Sequence, residues 1–334
     1  MLRLSTVLTA SILAGGLAAG GAVAQDKVTF ATNWLAQAEH GGYYQAIADG
    51  TYAEYGLDVT IAQGGPQSPG RPMLVSGQVQ FYMGGATGAI NSVKEGIPTI
   101  TLAAIFQKDP QILMSHPGKF ATFPELAGAS KYILSADGFA GYFSWMKAAW
   151  PDFVDEKYEP YQFNPASFLS DDMAIQQGYL TSEPYSIETE AGFAPDVWLL
   201  ADQGTYTPYS TTIEAMKPWY DENPDVAKRF VEASIIGWYN YLYGDNTAGN
   251  DLIKADNPEM TDEQIAYSID KMKEYGILIS GEAETQGIGC MTDERWKTYY
   301  DNMVEVGLYD AGIDVTQAYT TELVCQGLGV DLVK

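Results

Sequence analysis

The sequence predicts an α/β protein of two lobes, each a mainly parallel sheet flanked by helices, followed by a helical C-terminal section. Strand-sized apolar runs alternate with helical stretches from Lys27 onward, as parallel strands joined by crossover helices do. The middle third repeats that plan, and beyond Pro218 long helical stretches take over.

Residues 28–32 read as the first strand, and a polar turn with glycines follows over 33–42. Tyr44, Ile47, Ala48 and Tyr52 stand at helical spacing and predict a helix over 43–55, stopped by Gly56 in the position after a helix that glycine favours. Residues 57–61 alternate as a strand. The Gly- and Pro-rich run 64–70 is a loop, 72–76 a short helix, and 81–83 a strand ending at Gly84 and Gly85. A helix then runs to Lys94, with a further strand over 99–106. In the middle third, 131–135, 158–163 and 197–200 read as strands, and 139–149 and 171–177 as helices. The last section carries helices over 218–243, 261–275 and 292–306, with breaks at Asn257-Pro258 and Gly281.

The chain has 334 residues, 46% of them hydrophobic, enough for a large packed core in one domain or in two of roughly 150 residues. Its 18 Lys and Arg face 43 Asp and Glu, for a formal charge of −25. Nucleic acid and anionic membrane surfaces both require clustered cations, and the basic residues here are scattered. The bulk charge leaves the sign of a small ligand open, because a local basic pocket is compatible with it.

Residues 1–24 differ in composition from the rest. Arg3 gives a small positive start, residues 4–23 are apolar and free of acids, and Ala22-Val23-Ala24 is the small-residue ending that a signal peptidase accepts. A membrane anchor is the competing reading of so long an apolar run, but Gly15, Gly16, Gly20 and Gly21 weaken it as a stable helix. Export to a periplasm with cleavage after Ala24 is the expectation. Cys290 and Cys325 are the only cysteines; in an oxidising compartment they are expected to pair, the alternative being two buried thiols.

Catalytic signatures are missing. His40 and His116 are the only histidines, and neither has a partner at metal-ligand spacing. There is no G-x-S-x-G elbow, no Walker loop, and no G-x-G-x-x-G after the first strand. Binding without turnover is expected, with no cofactor and no metal.

Polar and aromatic residues gather where strands are predicted to end, which is where open parallel sheets collect ligands. The first strand leads to Asn33, Trp34, Gln37, Glu39, His40 and Tyr44, and the 81–83 strand to Gly84, Gly85, Ala86 and Thr87, whose amides open a helix. Gln107 and Asp109 follow Phe106; Asp137 follows the 131–135 strand, and Glu183 and Tyr185 lie farther on. Taken singly, each has a plainer reading: the rings pack, Asp137 caps a helix, and the glycines permit a tight turn. Their coincidence at several strand ends favours a site. Glu39, Asp109, Asp137 and Glu183 are acidic, and among the candidate residues only Arg71, near the 66–72 loop, carries a fixed positive charge. Carboxylates with Trp34 suit a flat N-heteroaromatic ring better than an anion, although helix N-termini also bind anions without arginine.

The runs Asn33-Trp34-Leu35-Ala36-Gln37-Ala38-Glu39-His40-Gly41-Gly42-Tyr43-Tyr44, Gly64-Gly65-Pro66-Gln67, Met83-Gly84-Gly85 and Gln176-Gln177-Gly178-Tyr179-Leu180-Thr181-Ser182-Glu183-Pro184-Tyr185 resemble the thiamine-pyrimidine-precursor (NMT1/THI5-like) family of ABC-transporter substrate-binding proteins. The resemblance covers residues 27 to about 210. It implies a two-lobed, type II-like periplasmic binding fold that closes on a small molecule: lobe one over 27–112 plus 208–334, lobe two over 113–207, and a hinge of two crossings. By motif position it implies ligand contacts from Trp34, Glu39, His40, Tyr44, Gly85, Thr87, Glu183 and Tyr185. It further implies a thiamine pyrimidine precursor-like ligand, with riboflavin or a sulfonate-like anion as the alternatives, an ABC permease as partner, and a monomer. A secreted enzyme acting on a pyrimidine is the other-class alternative. The family's fungal branch makes the pyrimidine with a cysteine-rich run, and this chain has no cysteine before Cys290.

Overall fold

The computed structural model describes residues 24–65, 70–162 and 164–333. The signal-peptide expectation for residues 1–24, the loop residues Pro66, Gln67, Ser68 and Pro69, and Phe163 fall outside them, Ala24 excepted. Ten strands form two five-stranded sheets. They are β1 (Asp26–Ala31), β2 (Leu57–Ala62), β3 (Phe81–Gly85), β4 (Thr99–Phe106), β5 (Gln111–Ser115), β6 (Tyr132–Leu134), β7 (Tyr158–Pro160), β8 (Ile175–Tyr179), β9 (Asp196–Leu199) and β10 (Ser210–Met216).

The first sheet has the order β2-β1-β3-β10-β4 and the second β7-β6-β8-β5-β9. In the first, β1 is parallel to β2 and β3, and β10 alone runs against its neighbours. In the second, β6 is parallel to β7 and β8, and β5 alone is reversed. Both sheets are thus mainly parallel, and each takes its fourth strand from the far side of a chain crossing. The crossings run over residues 107–110 and 200–209. Gln111 and Ile112 already pair in the second sheet, so the first crossing ends two residues before the expected position 113.

The first lobe's core is aromatic. Phe230 on the helix Pro224–Tyr243 stacks on Phe81 at 4.1 Å and on Tyr52 at 5.4 Å. The same helix packs on the helix Gly41–Ala48, and any side chain at Gly42 would enter the Trp238 ring. All eight residues of β4 are buried although it ends the sheet. The C-terminal section covers it, bridging Ala104 to Gly289 and Thr101 to Tyr319. Cys290 and Cys325 form a disulfide that ties the two covering segments together.

Several expectations need correction. The segment 171–177 is no helix: its second half enters β8, and Gln177 accepts hydrogen bonds from the Ser135 amide at 2.6 Å and the Tyr142 hydroxyl at 3.0 Å. Strands β5 and β10 were not foreseen, because Gln111 and Ser115 in one and Ser210, Thr212 and Glu214 in the other interrupt the apolar pattern. The 43–55 helix breaks at Gly50 (φ +83°), the 139–149 helix at Gly141, and the 218–243 helix at Asn223, where Pro224 restarts it. The helix Thr247–Asp256 is an addition.

Candidate ligand-binding cleft

A cleft of about 470 Å³ lies between the sheets, lined from both and from both crossings. Parallel strands place its residues: Trp34 follows β1, Gly84 to Thr87 complete β3 and open a helix, Ser135 and Asp137 follow β6, and Glu183 follows β8. The carboxyl ends of strands from two sheets therefore converge on one space. Asp109, Tyr206 and Tyr209 line it from the crossings, and Ser210 from the start of β10.

Four carboxylates line the cleft: Glu95, Asp109, Asp137 and Glu183. Burial lifts the Asp109 carboxyl to about 6, against hydrogen bonds from the Gln111 amide at 3.1 Å and from Ser210. Burial likewise lifts Glu183 to about 7, opposed by the Tyr179 amide, which donates to it at 2.7 Å, and reinforced by the charge of Glu39. Asp137 is raised by burial and lowered by Arg71. Near pH 7, Glu183 therefore exchanges between a carboxylate, which only accepts hydrogen bonds, and a carboxyl, which can also donate.

Arg71 is the only Lys or Arg among the described lining residues. It is not free. Its two Nη atoms reach the two carboxylate oxygens of Glu214, at 2.9 Å and 2.7 Å, and one donates to Ser92 at 2.9 Å. The rings of Tyr82, Tyr142, Tyr179, Tyr206 and Tyr209 give the wall its aromatic share.

Of the residues singled out from sequence, Trp34, Gly85, Thr87, Asp109, Asp137 and Glu183 line the cleft. Asp137 is no cap; Ser135 caps that helix through Gly138 at 3.0 Å. The expectation of free amides after β3 is partly corrected: the Gly85 amide donates to Glu214 at 3.2 Å and that of Ala86 to the Tyr209 carbonyl at 3.0 Å. Next to them, the first-turn amides of Thr87 and Gly88 likewise lie ahead of the helix's i−4 hydrogen-bond ladder. The Thr87 hydroxyl pairs with that of Tyr299 at 2.6 Å.

Glu39, His40, Tyr44 and Tyr185, expected as ligand contacts, do not line this cleft. Glu39 is buried and accepts from the Thr181 hydroxyl, joining the β1 side to the β8 side; burial raises its pKa. His40 is buried beside it, and burial pushes its imidazole down to about 3, so it stays neutral. The Tyr44 hydroxyl donates to Asp256 at 2.8 Å, and the Tyr185 ring lies against Tyr267 at 5.2 Å. Helices pull both rings away: Tyr44 faces the helix Thr247–Asp256, and Tyr185 faces the helix Asp262–Glu274.

Glu214, Gln177, Tyr142 and Tyr206 were missed. A glutamate within the apolar-flanked run Ile213-Glu214-Ala215 was the one available signal for the first.

A family model described as NMT1/THI5 like matches residues 37–245. Among curated proteins, the riboflavin-binding protein RibY of Chloroflexus aurantiacus is 24% identical over 322 residues, covering 90% of this chain and 87% of the relative. Among solved structures, a Bordetella bronchiseptica protein superposes with a TM-score of 0.68 at 15% identity, covering 92% of this chain and 98% of that one. The periplasmic nitrate-binding protein NrtA of Synechocystis gives 0.61 at 15% identity, covering 90% and 87%. The desulfurization enzyme DszB gives 0.55 at 12% identity, covering 90% and 97%. These structures share the fold.

Proposed function

The chain belongs to the NMT1/THI5-like family, and from that premise we propose that it is the exported solute-binding component of an ABC importer, capturing a planar N-heteroaromatic ligand of the thiamine-pyrimidine-precursor kind between two lobes. The observation that carries this reading is the cleft's lining: four carboxylates, aromatic walls, and one guanidinium already occupied by Glu214. Ring and exocyclic N–H groups find acceptors in Asp109, Asp137 and Glu183, and ring faces find Trp34 and the tyrosines.

Lobe one comprises residues 27–110 plus 208–334 and lobe two residues 111–207, moving about the crossings. The ligand shifts an open–closed equilibrium through contacts available only when both lobes reach it. The chain works as a periplasmic monomer after removal of residues 1–24, delivers its ligand unchanged, and meets a membrane permease. Among the described residues no helix is long and apolar enough to cross a membrane.

A second reading, riboflavin, is favoured by size. A cleft of about 470 Å³ exceeds what a single pyrimidine fills and lies within the usual range for larger ligands, and RibY is a riboflavin-binding relative. A thermal-shift panel of formylaminopyrimidine, riboflavin, a polyamine and a sulfonate tests both. The true ligand stabilises by about 2.7 kcal/mol when present at about 100 times its Kd. Stabilisation by the polyamine or sulfonate alone would refute both readings.

A further inference from the structure

Nη2 of Arg71 donates to Oε1 of Glu214 at 2.9 Å, and Nη1 lies 2.7 Å from Oε2 as an ion pair without hydrogen-bond geometry, so the carboxylate stands where a bound sulfonate or carboxylate would meet the guanidinium. Glu214 is fully buried behind the guanidinium, which is 23% exposed toward the cleft. The surroundings are shaped to this pair. A side chain at Gly84 would collide with the Glu214 carboxylate, and one at Gly88 with the guanidinium. The Gly85 amide and the Thr212 hydroxyl hold Oε1 of Glu214 at 3.2 Å and 3.4 Å.

We infer that Glu214 is the specificity-determining residue of the cleft: by pairing with the Arg71 guanidinium from behind, it neutralises the charge of the one Lys or Arg among the described lining residues, leaves it as a hydrogen-bond donor, and bars anionic solutes. The remaining N–H groups of Arg71 then serve a ring carbonyl or ring nitrogen, opposite carboxylates that serve ring N–H groups. This inference rests on the N-heteroaromatic reading for its ligand, while the exclusion of anions is measured independently of it.

The test titrates ethanesulfonate and nitrate into the wild type, Glu214→Gln and the double variant Arg71→Gln/Glu214→Gln, by calorimetry and melting temperature. No binding is expected in the wild type or the double variant. In Glu214→Gln the released guanidinium regains its fork, with an affinity gain above about tenfold. A wild type that binds either anion as tightly as Glu214→Gln overturns the inference, and so does a folded Glu214→Gln chain that gains none. Should Glu214→Gln not fold, Glu214→Asp keeps the charge but withdraws the carboxylate by one methylene. A smaller gain is expected there, and its absence counts equally against the inference. A wild type that takes neither pyrimidine nor riboflavin refutes the ligand reading and leaves the anion comparison standing.

Discussion

The rings of Trp34 and Tyr161 lie 6.0 Å apart and within 9° of parallel, Trp34 just beyond β1 of one sheet and Tyr161 just beyond β7 of the other. Trp34 also packs on the small apolar cluster around Ile112, Met114 and Phe168 in the second sheet's half. It therefore belongs to the contact between lobes as well as to the cleft wall. Trp34→Ala is expected to weaken ligand binding by more than about tenfold, or about 1.4 kcal/mol, and to lower the apo melting temperature as well, because its packing on the second lobe is lost. Tyr161→Phe, which keeps the ring, is expected to leave binding unaltered. Equal affinity in Trp34→Ala by calorimetry would remove the tryptophan from the site.

The two buried cleft carboxyls set a pH dependence. Burial raises Glu183 from 4.5 to about 7 and Asp109 from 3.8 to about 6, so the folded chain holds these protons more tightly than the unfolded chain. Their contribution to stability is fully present below about pH 4 and is lost as pH rises through 6 to 7. The melting-temperature difference between wild type and Glu183→Gln should therefore shift in the variant's favour across that interval. Ligand binding runs the other way. The ionised carboxylate accepts an N–H bond more strongly than the neutral carboxyl, so affinity should fall, by at most about tenfold per pH unit, below 7, and a flat profile would exclude Glu183 as the acceptor.

The hinge has an anchor in the C-terminal section. Arg295 donates to the Gln107 carbonyl in one crossing and stacks on the Tyr209 ring of the other at 4.2 Å, while its Nη1 meets Glu282 at 3.1 Å. Arg295→Ala removes no cleft-lining residue, withdraws the cation stacked on Tyr209, and frees both crossings. Scattering in solution should then show a more open apo average and a ligand affinity altered without loss of stoichiometry. An unchanged scattering profile would assign Arg295 to local packing alone.

The Cys290–Cys325 disulfide closes a 35-residue separation across the segments that cover β4. Reduction should destabilise the chain by about 2–4 kcal/mol in denaturant unfolding, with ligand stoichiometry preserved in the chain that stays folded.

The parallel strands were legible because β1, β2, β4 and β9 carry continuous or alternating apolar runs, and the long C-terminal helices because their apolar stripes keep helical spacing. The strands that cross between lobes were not, and neither was β8, which carries Gln177. Glu214, Gln177 and Gln111 are buried polar residues whose partners lie far along the chain, and each broke the pattern that marks a strand. The same cause divided the site. Residues directly after strands, such as Trp34 and Asp137, reach the cleft, whereas Glu39, His40 and Tyr44 follow a helical turn whose direction no local pattern reveals. Sequence spacing located the rim; long-range pairing built the floor.

The cleft carboxylates either receive the ring's N–H groups or stand aside from the ligand. The most direct measurement is calorimetric titration of the best-stabilising heteroaromatic into wild type and into Asp109→Asn/Glu183→Gln at pH 8. One-to-one binding in the wild type and a loss of more than about tenfold in the variant are expected, with the ligand recovered chemically intact. Undiminished affinity in a folded variant would contradict the ring's reception by these carboxylates.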